Sequence, residues 1–212
     1  MIAIIDYGVG NLFSLKSSLA ALCIDAKVTG DPDEIRLSDK IILPGVGAFA
    51  DAAKKLRDCK LDAVLKEEAA RGKPILGICL GMQLLFETSY EYGEHRGLGL
   101  IPGNVRPIAD VVSNEFKIPH IGWNRLSFPK TKSPIFRYLN EGDFVYFVHS
   151  YYCADCTEHV IATTEYGAQL TAAAQNKNVY GCQFHPEKSG EVGLNILRAF
   201  AELGTDKEGE AQ

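Results

Sequence analysis

The sequence predicts an α/β protein: a largely parallel central sheet flanked by helices, with an additional antiparallel strand region. Three features predict it. Near-continuous apolar runs at residues 1–5, 41–43 and 74–79 alternate with amphipathic helical stretches, the pattern of strands covered on both faces. From about Tyr90 the texture changes to short strands punctuated by Gly and Pro, which read as hairpins. A closing amphipathic stretch over 191–203 places Val192, Ile196, Leu197, Phe200 and Leu203 on one helix face.

Taken in order, the first run stops at Asp6, and Tyr7-Gly-Val-Gly-Asn11 forms a turn into a helix carrying Leu12, Leu15, Leu19 and Leu22. A short run then ends at Val28, followed by a polar stretch containing Asp31-Pro-Asp33. The next run, 41–43, leads into Pro44-Gly-Val-Gly47. The chain then reads as helical through Arg71, with a break near Cys59. A buried strand over 74–79 hands over to a helix beginning at 80–86. Strands are expected at 97–108, 118–126, 143–148, 160–166, 170–175 and 179–184. No linker or repeat interrupts the pattern, so residues 1–204 are expected to form one domain and 205–212 a charged C-terminal tail.

Composition narrows the function. The 212 residues hold 22 Lys and Arg against 27 Asp and Glu, a net charge of -5, and no basic stripe breaks the pattern. A nucleic-acid partner is not expected, because phosphate binding calls for clustered cations. No apolar run approaches the roughly 20 residues that span a bilayer, so no membrane association is expected. The opening residues lack the basic and apolar regions of an export signal, and a cytoplasmic location with six reduced cysteines follows as the expectation. Cys153-Ala-Asp-Cys156, with His159 nearby, has a metal-ligand spacing but lacks a second pair, so no metal is expected. Gly8-Val-Gly10 lacks the third glycine of a dinucleotide fingerprint, Phe13 standing in its place, and no phosphate-binding loop motif occurs. No cofactor is expected.

The chemistry concentrates at Gly77-Ile-Cys-Leu-Gly81, the form of a nucleophile elbow with Cys79 in place of serine. A sharp strand-to-helix turn lifts the side chain above the sheet edge, and the flanking glycines remove Cβ atoms that would crowd the bend. A helix N-terminus beside the sulfur favours its thiolate. The same five residues also suit a buried inert thiol, and a base decides between the two. His185 is the best candidate among five histidines: it follows a strand end, Pro186 stiffens its turn, and Glu187 stands where a carboxylate could orient the ring. An attacked acyl group needs oxyanion donors, which the Leu80 amide and the loop of Gly45, Val46 and Gly47 could provide. On residues alone, a thiol esterase or peptidase would use the same elbow.

With Gly-Ile-Cys79-Leu-Gly-Met-Gln83, Pro-Gly-Val-Gly47 and Phe-His185-Pro-Glu187 together, the chain resembles the class I glutamine amidotransferases over nearly its full length. The segments 5–11, Ile118-Pro-His-Ile-Gly-Trp-Asn124, Tyr146-Phe-Val-His-Ser-Tyr151 and His185-Pro-Glu-Lys-Ser189 look like the glutaminase-subunit family of imidazole glycerol phosphate synthases. The resemblance implies the class I fold, a Cys79-His185-Glu187 triad and hydrolysis of L-glutamine to glutamate and ammonia. It also implies a glutamine site held by Gln83 and the Ser150-Tyr151 backbone. Ammonia would pass to a separate (βα)8-barrel cyclase subunit, which makes imidazole glycerol phosphate and aminoimidazole carboxamide ribonucleotide in histidine biosynthesis. Tyr7, Gly10, Asn11, Ile121, Trp123, Asn124, Tyr146 and Lys188 are the expected partner-facing residues, Trp123 being the sole tryptophan.

Overall fold

The computed structural model describes residues 1–204, so the expected tail at 205–212 lies outside the described residues. In chain order the strands are β1 (Ile2–Ile5), β2 (Ala26–Thr29), β3 (Lys40–Gly45), β4 (Ile75–Cys79), β5 (Thr88–Ser89), β6 (His95–Arg96), β7 (Asn104–Pro107), β8 (His120–Arg125), β9 (Phe144–His149), β10 (Tyr151–Ala154), β11 (Val160–Glu165), β12 (Gln169–Asn176) and β13 (Val179–Cys182). The α-helices are α1 (Leu12–Ala21), α2 (Pro32–Leu37), α3 (Phe49–Asp58), α4 (Leu61–Ala70), α5 (Leu80–Leu84) and α6 (Gly190–Ala201).

The main sheet runs in the order β11-β12-β13-β4-β3-β1-β2. Its β13-β4-β3-β1-β2 part is parallel, and β11, β12 and β13 are joined antiparallel. Alternation along the buried strands feeds two cores. Ala3, Ile5, Ile41 and Leu43 point to one side with α3 and α4, where Phe49, Leu56, Leu61 and Leu65 cover them. Ile2, Ile4, Ile42, Leu76 and Ile78 point to the other, beneath Leu15 and Leu19 of α1 and Ile196, Leu197 and Phe200 of α6. This two-sided cover is why those strands read as unbroken apolar runs.

Several expectations needed correction. The polar stretch at 31–37 is a helix: Asp31 caps it by accepting from the Asp33 amide at 2.8 Å, Pro32 opens it, and Ile35 is its one buried residue. A cap followed by proline is a helix-start signal, but a single apolar position leaves no periodicity to read. The strand expected over 97–108 shortens to β7, and the segment before it folds back on the helix end: the amides of Leu98 and Leu100 donate to the carbonyls of Leu84 and Leu85. β7 lies in a separate four-stranded sheet of order β10-β7-β5-β6, while β8 and β9 pair only with each other. Neither group extends the main sheet. The break near Cys59 is real, with Lys60 in a left-handed conformation between α3 and α4.

Candidate active site

Cys79 closes β4 and precedes α5, with φ +55° and ψ -113°. A non-glycine residue held there stores on the order of 1–3 kcal/mol of strain, which the surrounding packing must sustain. The packing is close: a Cβ on Gly81 would stand 1.9 Å from the Leu43 carbonyl oxygen, and one on Gly77 would stand 2.7 Å from the Gly81 carbonyl oxygen. The two glycines therefore let β3, β4 and α5 meet at the bend.

His185 follows β13, which neighbours β4 in the sheet, so two adjacent parallel strands deliver sulfur and imidazole to the same edge. The ring is 3% exposed. Its Nδ1 lies 2.8 Å from Glu187 Oε1, which leaves Nε2 free on the other side of the ring, and Cys79 and His185 line the same cavity. Burial by itself would lower the His185 pKa, but its interactions with Cys79 and Glu187 raise it to about 9. Glu187 Oε2 makes no hydrogen bond to any described residue. The loop is secured by its backbone: the His185 amide donates to the Tyr146 carbonyl at 3.0 Å, and the Ser189 hydroxyl donates to the His185 carbonyl at 2.6 Å.

A cavity of about 610 Å³ opens over the sulfur, lined among others by Val46, Gly47, Leu80, Gln83, Ser150, Tyr151, His185 and Lys188. Gln83 Nε2 donates to the Tyr151 carbonyl at 3.2 Å and to Gln183 Oε1 at 3.0 Å. Gly45 is the exception among the oxyanion candidates: it ends β3 in register with Cys79 and does not line the cavity. Gly47 takes φ +91°, a conformation that favours glycine, and Val46 is exposed at the rim.

The expected partner-facing residues divide. Ile121 and Trp123 are exposed on β8, Trp123 stacks edge-on against half-buried Tyr146 at 6.0 Å between ring centres, and Lys188 is exposed at the cavity mouth. Asn124, half-buried, donates to the Glu165 carbonyl. Tyr7 is not at the surface. It is 4% exposed and donates its hydroxyl to the Pro44 carbonyl at 2.8 Å, since a large ring beside a buried strand gains more inside once its hydroxyl has an acceptor. Gly10 packs against Pro44 and Asn11 is half-buried, so the 7–11 turn packs against the end of β3.

Sequence reading missed four contributors. Glu91 and Tyr92 line the cavity from a loop without periodicity, His149 lines it from the end of β9, and Gln183 reaches Cys79 Sγ at 3.8 Å. Gln183 had a signal only in its place, two residues before His185 and just past the end of β13. Cys153 and Cys156 are buried free thiols, and the described residues contain no group of three or more His, Cys, Asp or Glu able to hold a metal. No helix among the described residues is long and apolar enough to cross a membrane.

A strained cysteine at a strand end, a buried imidazole at the same cavity and a carboxylate on that imidazole make an arrangement capable of acyl transfer on a parallel α/β sheet. The family model of class-I glutamine amidotransferases matches residues 3–202, and the chain belongs to that family. Solved structures agree in fold: a glutamine amidotransferase at TM-score 0.74 and 19% identity, covering 95% of this chain and 98% of that one, and PurLQS from Thermotoga maritima at TM-score 0.74 and 21% identity, covering 94% and 96%. Within the family, the chain is similar to imidazole glycerol phosphate synthase subunit HisH. The Oceanobacillus iheyensis protein is 49% identical over 96% of this chain and 99% of its own length, and the Lactococcus lactis protein is 50% identical over 95% and 98%.

Proposed function

We infer that this chain is the glutaminase subunit of an imidazole glycerol phosphate synthase. It hydrolyses glutamine and hands the ammonia to a cyclase subunit in histidine biosynthesis. The observation that carries the reading is the meeting of Cys79 and His185 at one cavity wall, with Glu187 on the far nitrogen of the ring, in a chain about half identical to synthase subunits over nearly its whole length.

In this reading the Cys79 sulfur attacks the side-chain amide carbon of glutamine. The oxyanion that forms faces the Leu80 amide and the amides of the Val46-Gly47 loop, and the negative charge is worth most to fixed donors in a cavity shielded from water. His185 is built to hold a proton, as its raised pKa indicates, and it delivers that proton to the departing ammonia. A thioester remains. Water then attacks it, with the now neutral imidazole as base, and glutamate leaves. Glu187 accepts from Nδ1 throughout, fixing the ring and stabilising its charged form. Gln83 and the Ser150-Tyr151 backbone hold the substrate. Glu91 is the one carboxylate among the residues lining the cavity, and it suits the substrate's α-ammonium group.

Exposed Ile121 and Trp123, with Tyr146 and Lys188, form the surface that meets the cyclase. The test supplies glutamine labelled with ¹⁵N at the amide to the chain and a cyclase subunit. Label in the imidazole product supports the reading. Unlabelled product made from added ammonium would reduce the chain to a scaffold, and ester or peptide hydrolysis by the isolated chain would favour a general thiol hydrolase.

A further inference from the structure

Two histidines outside the triad face each other across the β8–β9 hairpin. His120 and His149 are direct cross-strand partners, 1% and 6% exposed. His149 Nδ1 lies 2.8 Å from the Tyr151 carbonyl oxygen. A carbonyl can only accept, so Nδ1 carries the proton and Nε2 presents a lone pair. That lone pair lies 2.9 Å from His120 Nδ1, which must therefore donate. Direction is fixed along the chain of contacts: His120 donates to His149, and His149 donates to Tyr151. The Tyr151 carbonyl also accepts from Gln83, whose amide nitrogen donates in addition to Gln183, and Gln183 reaches the Cys79 sulfur. Both lone pairs of the Tyr151 carbonyl are thus occupied, and its peptide plane is held from two sides.

Simple packing accounts poorly for this pair. His120 is stacked between Phe147, with ring centres 4.9 Å apart, and Tyr166, at 4.0 Å, where an apolar ring would fit as well. Its Nε2 makes no hydrogen bond to a described residue, a cost that an aromatic hydrocarbon would avoid. Burial lowers both pKa values, that of His120 to about 4 and that of His149 to about 3, so the rings stay neutral at ordinary pH. His185 also acts on His149, its positive charge disfavouring protonation there. A protonated His149 would set two N–H groups against each other across 2.9 Å.

We propose that His149 is a positioning residue for glutamine: through its Nδ1–H, aligned by His120, it sets the Tyr151 backbone that holds the substrate. The proposal rests on the function inferred above. It links β8, which carries exposed Ile121 and Trp123, to the floor of the cavity through the His120–His149 and His149–Tyr151 hydrogen bonds.

The test uses the full chain with its cyclase subunit and two variants. His149→Phe keeps a ring but removes the donor, while His149→Asn places an amide N–H near the position of Nδ1. Expected for His149→Phe is a rise of roughly tenfold or more in KM for glutamine with kcat within about threefold of wild type, and recovery of most of the KM in His149→Asn. Ammonium-dependent turnover stays at the wild-type level in both. An unchanged KM in His149→Phe, or equal damage in both variants, overturns the proposal. Nitrogen-15 NMR of the wild-type rings gives a readout independent of turnover. Both should be Nδ1–H tautomers that do not titrate between about pH 8 and pH 5. An Nε2–H tautomer at His149 overturns the proposal even if neither variant folds. A wild-type pair that cannot use glutamine, with the tautomers as expected, would instead defeat the functional reading and leave the relay standing.

Discussion

The amide of His185 donates to the carbonyl of Tyr146 at 3.0 Å, so the strand that presents an aromatic side chain to the surface also holds the proposed catalytic base. Tyr146 is fixed a second time by its own amide, which donates to Ser189 Oγ. Across β8, its ring meets Trp123. A partner seated on Trp123 would therefore press on the strand whose Tyr146 carbonyl holds the His185 amide.

Trp123→Ala should weaken cyclase binding by roughly 30-fold or more, the cost of an aromatic hot spot, while the isolated chain keeps its melting temperature because the indole is 52% exposed. Titration calorimetry checks the first point and thermal denaturation the second. Unchanged affinity would remove Trp123 from the interface.

Cys79→Ala should lower glutamine-dependent turnover by at least about 10⁴-fold and leave ammonium-dependent synthesis by the cyclase intact. Glu187→Gln should impair glutamine use by roughly 10²- to 10⁴-fold without abolishing it, because it removes charge and orientation but spares the nucleophile. Loss of both activities in Cys79→Ala, with the complex still assembled, would contradict the division of labour.

Gly193→Ala should act at a distance from the cavity. A Cβ there would lie 1.8 Å from the Pro186 carbonyl oxygen, so α6 must move away from the His185-Pro186-Glu187 turn. We expect a stability loss of about 1–3 kcal/mol and a fall in glutaminase kcat, measured by denaturant titration and steady-state kinetics. A destabilised variant with wild-type kcat would show that the turn tolerates the shift.

His185 predicts the alkaline behaviour. Its folded pKa, about 9, lies above the unfolded value of about 6.5, so the folded state binds the extra proton between them. The stabilisation is fully present below about pH 6.5 and is lost as pH rises through about 9. Over the same window the proton donor for ammonia disappears, and kcat should fall on an alkaline limb near pH 9. Comparing the pH dependence of stability in wild type and His185→Gln isolates this contribution; identical slopes between pH 6.5 and 9 would refute it.

The apolar runs of β1, β3 and β4 were legible because strands covered on both faces show no polar alternation. The elbow at Cys79 was legible for a related reason: Gly77 and Gly81 are demanded by backbone contacts within a few residues and the adjacent strand. The helix α2 escaped notice because one buried isoleucine makes no period. Tyr7 was misplaced because an aromatic after a glycine-bounded turn reads the same whether its hydroxyl meets a partner or the Pro44 carbonyl of its own chain.

Local chemistry in the sequence was therefore enough to specify the layered α/β fold and to place the candidate triad residues near strand ends. Side-chain meetings across long separations were decided only in three dimensions. Gln183 reaches the sulfur, His149 fixes Tyr151 and Gly193 admits the Pro186 turn through contacts that no spacing rule encodes. The physical reason is range: turn, strand and cap preferences act within a few residues, whereas hydrogen-bond partners and buried rings are selected by which surfaces the packed sheet and helices bring together.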